Sequence, residues 1–235
     1  MMQVSFSMTS IKVSTEWLHE SWGKTATHEK NPHMYVDGTN LSIIIFPKGE
    51  SAMRVMRRTV EKTSTIGFEV VPALRCFVKM LLGFKEITLN INNQGLSVIA
   101  ENPNSAIEYR FSNIDIVQKN EIEPHEDDIE IKLPTEEWLN IWKSIPPKGQ
   151  VTIECQKKRK SITIKHSKQR WVGAIQGCHV PTDSKTFTTD AMVIKRIFAL
   201  CTPETVFSHI CFMKCGVFKW KQKNTEIYIA PNIDV

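Results

Sequence analysis

Residues 14–24, Ser-Thr-Glu-Trp-Leu-His-Glu-Ser-Trp-Gly-Lys, return in altered form at residues 134–144 as Pro-Thr-Glu-Glu-Trp-Leu-Asn-Ile-Trp-Lys-Ser. The shared Glu-Trp-Leu begins at Glu16 and again at Glu137, an offset of 121 positions (137 − 16) in a chain of 235 residues. A repeat of about half the chain length predicts two copies of one domain. Each copy contains a tryptophan-bearing amphipathic helix.

Composition is that of an ordinary globular protein. Apolar residues make up 41% of the chain and charged residues 23%, and 235 residues are enough for two small domains with a core each. No stretch approaches the ~20 apolar residues that span a bilayer, and the N-terminus does not resemble a signal peptide. The six cysteines form no Cys-x-x-Cys pair, which favours reduced thiols in a cytosolic or nuclear protein. Cys211 and Cys215 are predicted to share one face of a strand.

The net charge of +5 is unevenly distributed along the chain. Residues 1–117 carry +1, residues 118–130 carry −5 and residues 131–235 carry +9. A short acidic segment with a proline between two repeats is typical of an exposed connector. We therefore predict a first domain at 1–117, an acidic interdomain connector at 118–130 and a second domain at 131–235. The basic second half favours a polyanionic partner.

Four helices are predicted, each followed by apolar stretches that are typical of antiparallel strands. The helix candidates are residues 15–24, 71–82, 134–145 and 189–201. Two such units in each half predict an α+β fold with two topologically similar domains.

The sequence gives little support to an enzyme. Its seven histidines form no His-Glu-x-x-His or comparable ligand set, and no P-loop, Gly-x-Ser-x-Gly or dinucleotide-binding motif occurs. We expect no catalytic residues, no bound metal and no cofactor.

Four segments resemble the proliferating cell nuclear antigen family of DNA sliding clamps. The C-terminal Glu-Ile-Tyr-Ile-Ala-Pro-Asn-Ile-Asp, residues 226–234, is similar to that family's Tyr-Leu-Ala-Pro-Lys-Ile terminus. The other three are Ile-Lys-Leu-Pro-Thr-Glu-Glu-Trp at 131–138, Ala-Leu-Cys-Thr-Pro at 199–203 and Ile-Asp-Ile-Val-Gln at 114–118. They resemble the opening of the second domain, the end of a helix and the start of the interdomain connector.

The resemblance implies the processivity-clamp fold, with helices on an inner face and antiparallel sheets outside. It also implies a homotrimeric ring that encircles duplex DNA without sequence specificity and tethers DNA polymerase and other clamp-binding peptides in replication and repair. A clamp loader is a further expected partner, and the nucleus is the expected location. Cellular clamps of the family are acidic, whereas this chain has a pI near 8.8. That departure leaves room for a divergent processivity factor of viral origin, which would act at a cytoplasmic replication site.

A sliding clamp should contact phosphates, which are the same at every base pair, and avoid base edges. Cations on the inner helices are suited to this task. The DNA-binding candidates are Lys24, Arg75, Lys79, Lys143, Lys195 and Arg196. Lys79 and Lys143 match channel cations of the family, and the other four are assigned from helix faces alone. A solvated helix surface is the simpler interpretation of all six, and Glu16, Glu20, Glu136 and Glu137 would weaken a positive lining.

Ring closure in the family pairs an edge strand of one subunit with an edge strand of the next. The matching strands here are residues 105–112 and 170–177. The subunit-interface candidates are Ala106, Tyr109, Phe111, Trp171, Val172 and Ile175. An unpaired apolar edge is a liability for a monomer. The alternative is that Trp171 packs inside its own domain.

Client proteins of the family insert an aliphatic and aromatic plug beneath the connector, beside the C-terminal strand. The candidates for this partner-peptide groove are Ile122, Pro124, Tyr228, Ile229, Ala230 and Pro231. The acidic connector could attract basic flanks of such peptides. Alternatively, Tyr228 and Ile229 merely complete the last strand. The Lys157–Lys160 turn is a hairpin tip, a phosphate contact, an import signal or a modification target, and the sequence does not choose among them.

Two non-enzyme alternatives stay open. One is a subunit of a heteromeric checkpoint-type clamp, which requires sister chains. The other is a monomeric or dimeric polymerase accessory factor that is held on DNA by charge.

Overall fold

The chain divides into two compact units. The computed structural model describes residues 8–23, 32–45, 52–92, 95–111, 115, 122, 125, 128–156, 161–174, 184–199 and 201–231. The first unit comprises Met1–Phe46 and Val55–Glu121, and the second comprises Pro47–Arg54 and Ile122–Val235. Each unit has its own hydrophobic core.

The first unit begins with strand β1, and a short helix follows at once. Its elements are β1 (Thr9–Ser14), α1 (Thr15–Leu18) continued by a π-helical turn (His19–Gly23), β2 (His33–Ile45), β3 (Ala52–Glu69), α2 (Pro72–Met80), β4 (Glu86–Asn92), β5 (Gly95–Asn102) and β6 (Ser105–Phe111). Four strands form an antiparallel sheet in the order β1-β4-β5-β6. The long strands β2 and β3 are also neighbours in a sheet.

The second unit repeats this order with two helices and two sheets. Its elements are β7 (Ile129–Pro134), α3 (Thr135–Ser144), β8 (Gln150–Gln156), β9 (Ser161–His166), β10 (Gln169–Ala174), β11 (Lys185–Asp190), α4 (Ala191–Ala199), β12 (Phe207–Phe212), β13 (Phe218–Gln222) and β14 (Thr225–Ile229). One antiparallel sheet has the order β10-β9-β8-β11, and the other runs from β7 through β12 and β13 to β14. The first residues of β3, Ala52–Arg54, belong to this unit. The α+β prediction with two similar domains is confirmed.

The structural repeat has an offset of 120 positions, one fewer than the sequence match. Strands β1 and β7 begin at Thr9 and Ile129, and helices α1 and α3 begin at Thr15 and Thr135. Thr15 and Thr135 are both fully buried, and the next buried residue in each helix is Leu18 in α1 and Trp138 in α3. Burial therefore aligns Leu18 with Trp138, so the shared Glu-Trp-Leu is one residue out of structural register.

Aromatic packing dominates the core of the second unit. Trp138, Trp142 and Trp220 are at most 1% exposed, and the Trp142 ring stacks on Phe198 with centroids 5.3 Å apart. Truncating one such side chain to alanine typically costs roughly 3–5 kcal/mol. The backbone of β10 approaches the Trp138 ring so closely that position 173 has to be glycine. A Cβ atom there would lie 2.4 Å from Cζ2 of Trp138.

Helix boundaries are shorter than predicted, and some elements were missed. Strands β1, β4, β7 and β11 were not identified, although β4 has a strict apolar alternation that could have revealed it. Cys215 was expected in a strand with Cys211, but it lies in the turn after β12 because Lys214–Gly216 reverse the chain there. None of the helices within the described residues is long and apolar enough to cross a membrane.

Candidate functional site

Two of the predicted DNA-contacting lysines bond to backbone carbonyls within the second unit. Lys143, in the last turn of α3, donates from Nζ to the carbonyl oxygen of Cys201 at 2.6 Å. Lys195 of α4 donates in turn to the carbonyl oxygen of Lys143. Cations near a helix C-terminus are favoured by its partial negative charge and its unpaired carbonyls. These two half-buried lysines therefore join α3, α4 and the segment that follows α4.

A buried arginine lies at the same place. Arg54 is only 7% exposed and lies beside the thiol of Cys201. Burial raises the pKa of Cys201 to about 11, although Arg54 and Lys143 act in the opposite direction. The thiol is thus neutral at physiological pH. Lys143 and Lys195 stabilise these helix ends through their bonds to carbonyl oxygens, and Arg54 lies beside Cys201 in the same region.

The other predicted DNA contacts differ in exposure. Lys79, in the last turn of α2, and Arg196 of α4 are exposed, while Arg75 is half-buried. Lys24 lies outside the described residues. Four acids on or beside these helices, Glu16, Glu20, Glu136 and Glu137, are also exposed. Among the described candidates, Lys79 and Arg196 present the most accessible positive charge.

Strand β6 is an edge strand, and part of its core-side face is exposed. Ile107 and Tyr109 lie opposite the buried Ala100 and Val98 on β5, yet they are 41% and 51% exposed. The ring of Tyr109 contacts Phe77 of α2 and Phe111, with centroids 5.0 and 4.8 Å apart. We call Phe77, Met80, Ile107, Tyr109 and Phe111 the β6 patch. Met80, Ile107 and Tyr109 supply its exposed surface, because Phe77 is half-buried and the predicted interface residue Phe111 is buried in the core.

Sequence reasoning assigned Tyr109 and Phe111 to an interface but missed the helix side of the β6 patch. Met80 is 78% exposed at the end of α2 and lies one helical turn after Phe77. Their spacing is the signal that could have identified them, because residues three apart share a helix face. Ala106, also predicted here, is exposed and points to the opposite side of β6. Contiguous apolar exposure of this kind is typical of an interface.

Strand β10 is also an edge strand, in the second unit. Val172 is 56% exposed, whereas Trp171 is half-buried and packs against the core of its own unit. Trp171 thus has both a core contact and an accessible portion. Ile175 and the Lys157–Lys160 turn lie outside the described residues.

The predicted peptide-groove residues lie at the end of the chain and at different depths. Ile229 is fully buried in the core of the second unit, whereas Ala230, Pro231 and Ile122 are half-buried. Pro124 lies outside the described residues. Of the predicted set, Ile122, Ala230 and Pro231 are the described members that retain accessible surface.

Tyr228 belongs to a buried polar network on β13 and β14. Its hydroxyl donates to Oε2 of Glu226 at 3.0 Å, and Lys219 lies over its ring, with Nζ 4.9 Å from the centroid. Lys219 also pairs with Oε1 of Glu226 at 3.1 Å. Burial raises the pKa of Tyr228. Burial tends to lower the pKa of Lys219, but Tyr228 and Glu226 outweigh it and the net shift is upward. The network holds the Tyr228 ring in one orientation.

The described residues contain no group of three or more His, Cys, Asp or Glu side chains arranged to hold a metal ion. Cys211 shows why its thiol is a poor ligand candidate. Burial raises its pKa to about 12, with smaller upward contributions from Asp128 and Glu130.

Comparison with known proteins finds similarity in structure only. No protein-family model and no curated protein matches the chain. Among solved structures, it is similar to DNA polymerase III subunit beta from Borrelia burgdorferi, with a TM-score of 0.69 and 11% identity over 95% of this chain and 64% of that chain. It is also similar to the beta subunit of DNA polymerase from Streptococcus pyogenes, with a TM-score of 0.62 and 11% identity over 99% of this chain and 68% of that one. The chain thus spans about two thirds of their length. These neighbours are sliding clamps, and the likeness confirms the predicted clamp fold.

Proposed function

We propose that this chain, which has the sliding-clamp fold, is a DNA polymerase processivity factor that encircles duplex DNA without sequence specificity. The observation that carries the proposal is the clamp fold over nearly the whole chain. The sequence similarities to the proliferating cell nuclear antigen family at residues 131–138 and 226–234 support it independently.

DNA contact would be made by cations that reach phosphate oxygens. Lys79 and Arg196 are exposed on helices of the two units, and such scattered charges allow sliding because they create no sequence-dependent energy minimum. Lys143 and Lys195 contribute mainly by stabilising the helix pair, since their ammonium groups are engaged with carbonyl oxygens.

Copies of the chain would assemble by joining edge strands. The β6 patch of one copy offers the exposed side chains of Met80, Ile107 and Tyr109. Strand β10 of the next offers Val172 and the accessible part of Trp171. Pairing would satisfy the backbone groups of both edges and cover the apolar side chains. A homotrimer is the expected closed form, loaded onto DNA by a clamp loader.

Client proteins would bind the second unit beside Ile122, Ala230 and Pro231, in the segment that follows the buried Tyr228. A DNA polymerase is the principal client, and repair proteins are others. The site of action is the nucleus, or a cytoplasmic replication site for a viral protein.

Retention on DNA of different topology tests the proposal. The protein is loaded onto nicked circular DNA in low salt, and each sample is split and one half linearised with a restriction enzyme. A topological clamp remains on circles and is lost from linear DNA, because it slides off free ends. Equal retention on circles and linear DNA would exclude encirclement.

A charge-held accessory factor is the second candidate. The basic charge of residues 131–235, +9 in total, favours it, and its binding to linear DNA would fall steeply as salt rises. A heteromeric clamp would assemble only after sister chains are added.

A further inference from the structure

The end of the connector is joined to the hairpin between β12 and β13 by one carboxylate. Oδ1 of Asp128 accepts a hydrogen bond from the backbone N–H of Lys214 at 2.8 Å. Its Oδ2 accepts one from the backbone N–H of His125 at 2.9 Å. The N–H of Asp128 donates to the carbonyl oxygen of His125 at 3.0 Å, which closes a turn. We call the two carboxylate bonds the Asp128 bridge.

The Asp128 bridge is reinforced by side chains on each side of it. Nζ of Lys214 lies 3.2 Å from Nε2 of His125. Because an ammonium group only donates, this contact requires the imidazole nitrogen to accept. Further along the β7–β12 pair, Nδ1 of His209 on β12 lies 2.7 Å from Oε1 of Glu130 on β7. The start of the second unit is thereby fastened to the hairpin at two places.

The same hairpin turn lies close to Pro231, the last residue that the structure describes. The turn is closed by bonds from Met213 N to Val217 O and from Gly216 N to Met213 O, both 2.9 Å. Gly216 has a φ of +86°, a conformation that glycine adopts without strain. A Cβ at this position would lie 3.8 Å from Cγ of Pro231. The turn thus bonds to the connector end through Lys214, and its Gly216 lies close to the predicted groove residue Pro231.

We propose that Asp128 is a positioning residue of the partner-peptide groove. By fixing His125 to the Lys214–Gly216 turn, which lies close to Pro231, it holds His125 and the Ala230–Pro231 segment in the arrangement that a client peptide requires. The inference rests on the proposed function, since it assumes that clients bind at this groove. Asp128 would contact no client itself. Its contribution is preorganisation, because a groove whose wall is already ordered loses less conformational entropy when a peptide binds.

Peptide titration of two matched variants tests the inference. The probe is a fluorescein-labelled peptide with one leucine, two adjacent phenylalanines and lysine flanks, titrated into the full chain and followed by anisotropy. Asp128→Ala removes both acceptors of the bridge and is expected to weaken binding about tenfold. Glu204→Ala is the control, because Glu204 likewise accepts from Asn224 N at 2.9 Å and from the Thr225 hydroxyl at 2.8 Å. The control is expected to bind within about twofold of the unaltered chain.

Hydrogen exchange shows whether the bridge has been broken. The Lys214 amide should exchange faster in Asp128→Ala, while amides of β12 and β13 remain protected, so that a folded but loosened variant is distinguished from an unfolded one. A faster Lys214 amide together with unchanged peptide affinity would overturn the inference and leave the proposed function standing. Equal weakening by Glu204→Ala would also overturn it, since the effect would then follow from general destabilisation.

Failure of the proposed function has a different signature. If the unaltered chain and the Tyr228→Ala variant show the same negligible binding of the probe, the groove is not a client site. The inference then falls with the proposed function.

Discussion

Gly173 shows how one residue can be required by the packing beneath it. Its missing side chain allows Trp138 to lie directly under β10, with 2.4 Å between Cζ2 of Trp138 and the place that a Cβ would occupy. The indole is fully buried and belongs to the core, so the surrounding side chains prevent it from moving away from an added methyl group. A rigid aromatic ring, rather than backbone conformation, is what requires glycine here.

Gly173→Ala is therefore expected to lower the free energy of unfolding by about 1–3 kcal/mol through overpacking. Urea denaturation followed by tryptophan fluorescence measures the change. Gly83→Ala is the matched control, since no atom lies within 4 Å of its Cβ position, and it should shift stability by less than about 0.5 kcal/mol. Equal effects of the two substitutions would contradict the packing argument.

The thiols are expected to differ in reactivity, because thiolate is the reactive form. Burial raises the pKa of Cys201 to about 11 and of Cys211 to about 12, so both remain protonated at pH 8. Cys76 and Cys215 are exposed. Among the five cysteines that the structure describes, iodoacetamide at pH 8 should modify Cys76 and Cys215 first, and peptide mass spectrometry gives the order. Rapid alkylation of Cys211 in the folded protein would contradict the burial that the structure gives this thiol.

At the scale of elements, the lysines of α3 and α4 illustrate what can and cannot be predicted by assigning residues to helix faces from the sequence. The helical pattern placed Lys143 and Lys195 away from the apolar stripe, and neither is in the core. It could not show that their ammonium groups reach carbonyl oxygens at the end of α3 and beyond α4. Such bonds depend on how two helices separated by about fifty residues pack, which no local pattern contains.

Lys195→Met is expected to lower the free energy of unfolding by about 1–2 kcal/mol, because a helix-end carbonyl loses a charged donor. Lys79→Met is the control, since Lys79 is exposed at the end of α2, and it should leave stability within about 0.5 kcal/mol. Denaturant titration measures both. If Lys79→Met proves the more destabilising, the assigned role of Lys195 is wrong.

Element order was predicted more completely than element register. Alternation of apolar residues and the tryptophan helices were enough to predict two α+β repeats, because both features are local. The exact equivalence was one residue out, since the motif match followed Trp17, whereas burial follows Leu18 and Trp138. Phe77 and Met80 were missed because a half-exposed face of α2 cannot be told from a solvated one without knowing where the sheet ends.

At the scale of the whole molecule, the β6 patch predicts self-association. Tyr109 is central to it and is 51% exposed. Tyr109→Asp is expected to yield monomers at micromolar concentration, because an uncompensated charge would have to be desolvated between the paired edges. Light scattering after gel filtration gives the mass.

Val206→Asp provides the matched control, since Val206 is 78% exposed but lies outside both edge strands. It should assemble like the unaltered chain. A monomeric unaltered chain, or a Tyr109→Asp variant of undiminished mass, would contradict assembly through β6.

The two edges that would join copies are different surfaces, and this has a consequence for mixed populations. A copy with an altered β6 but an intact β10 could still attach to a normal neighbour, yet it would offer nothing to the next one and would end the series. Such a copy acts as a chain terminator. With equal amounts of altered and normal copies, only about one in eight sets of three copies would lack an altered subunit and so be able to close into a ring. Damage to one edge should therefore be dominant, whereas loss of the whole protein from one gene copy merely halves the supply.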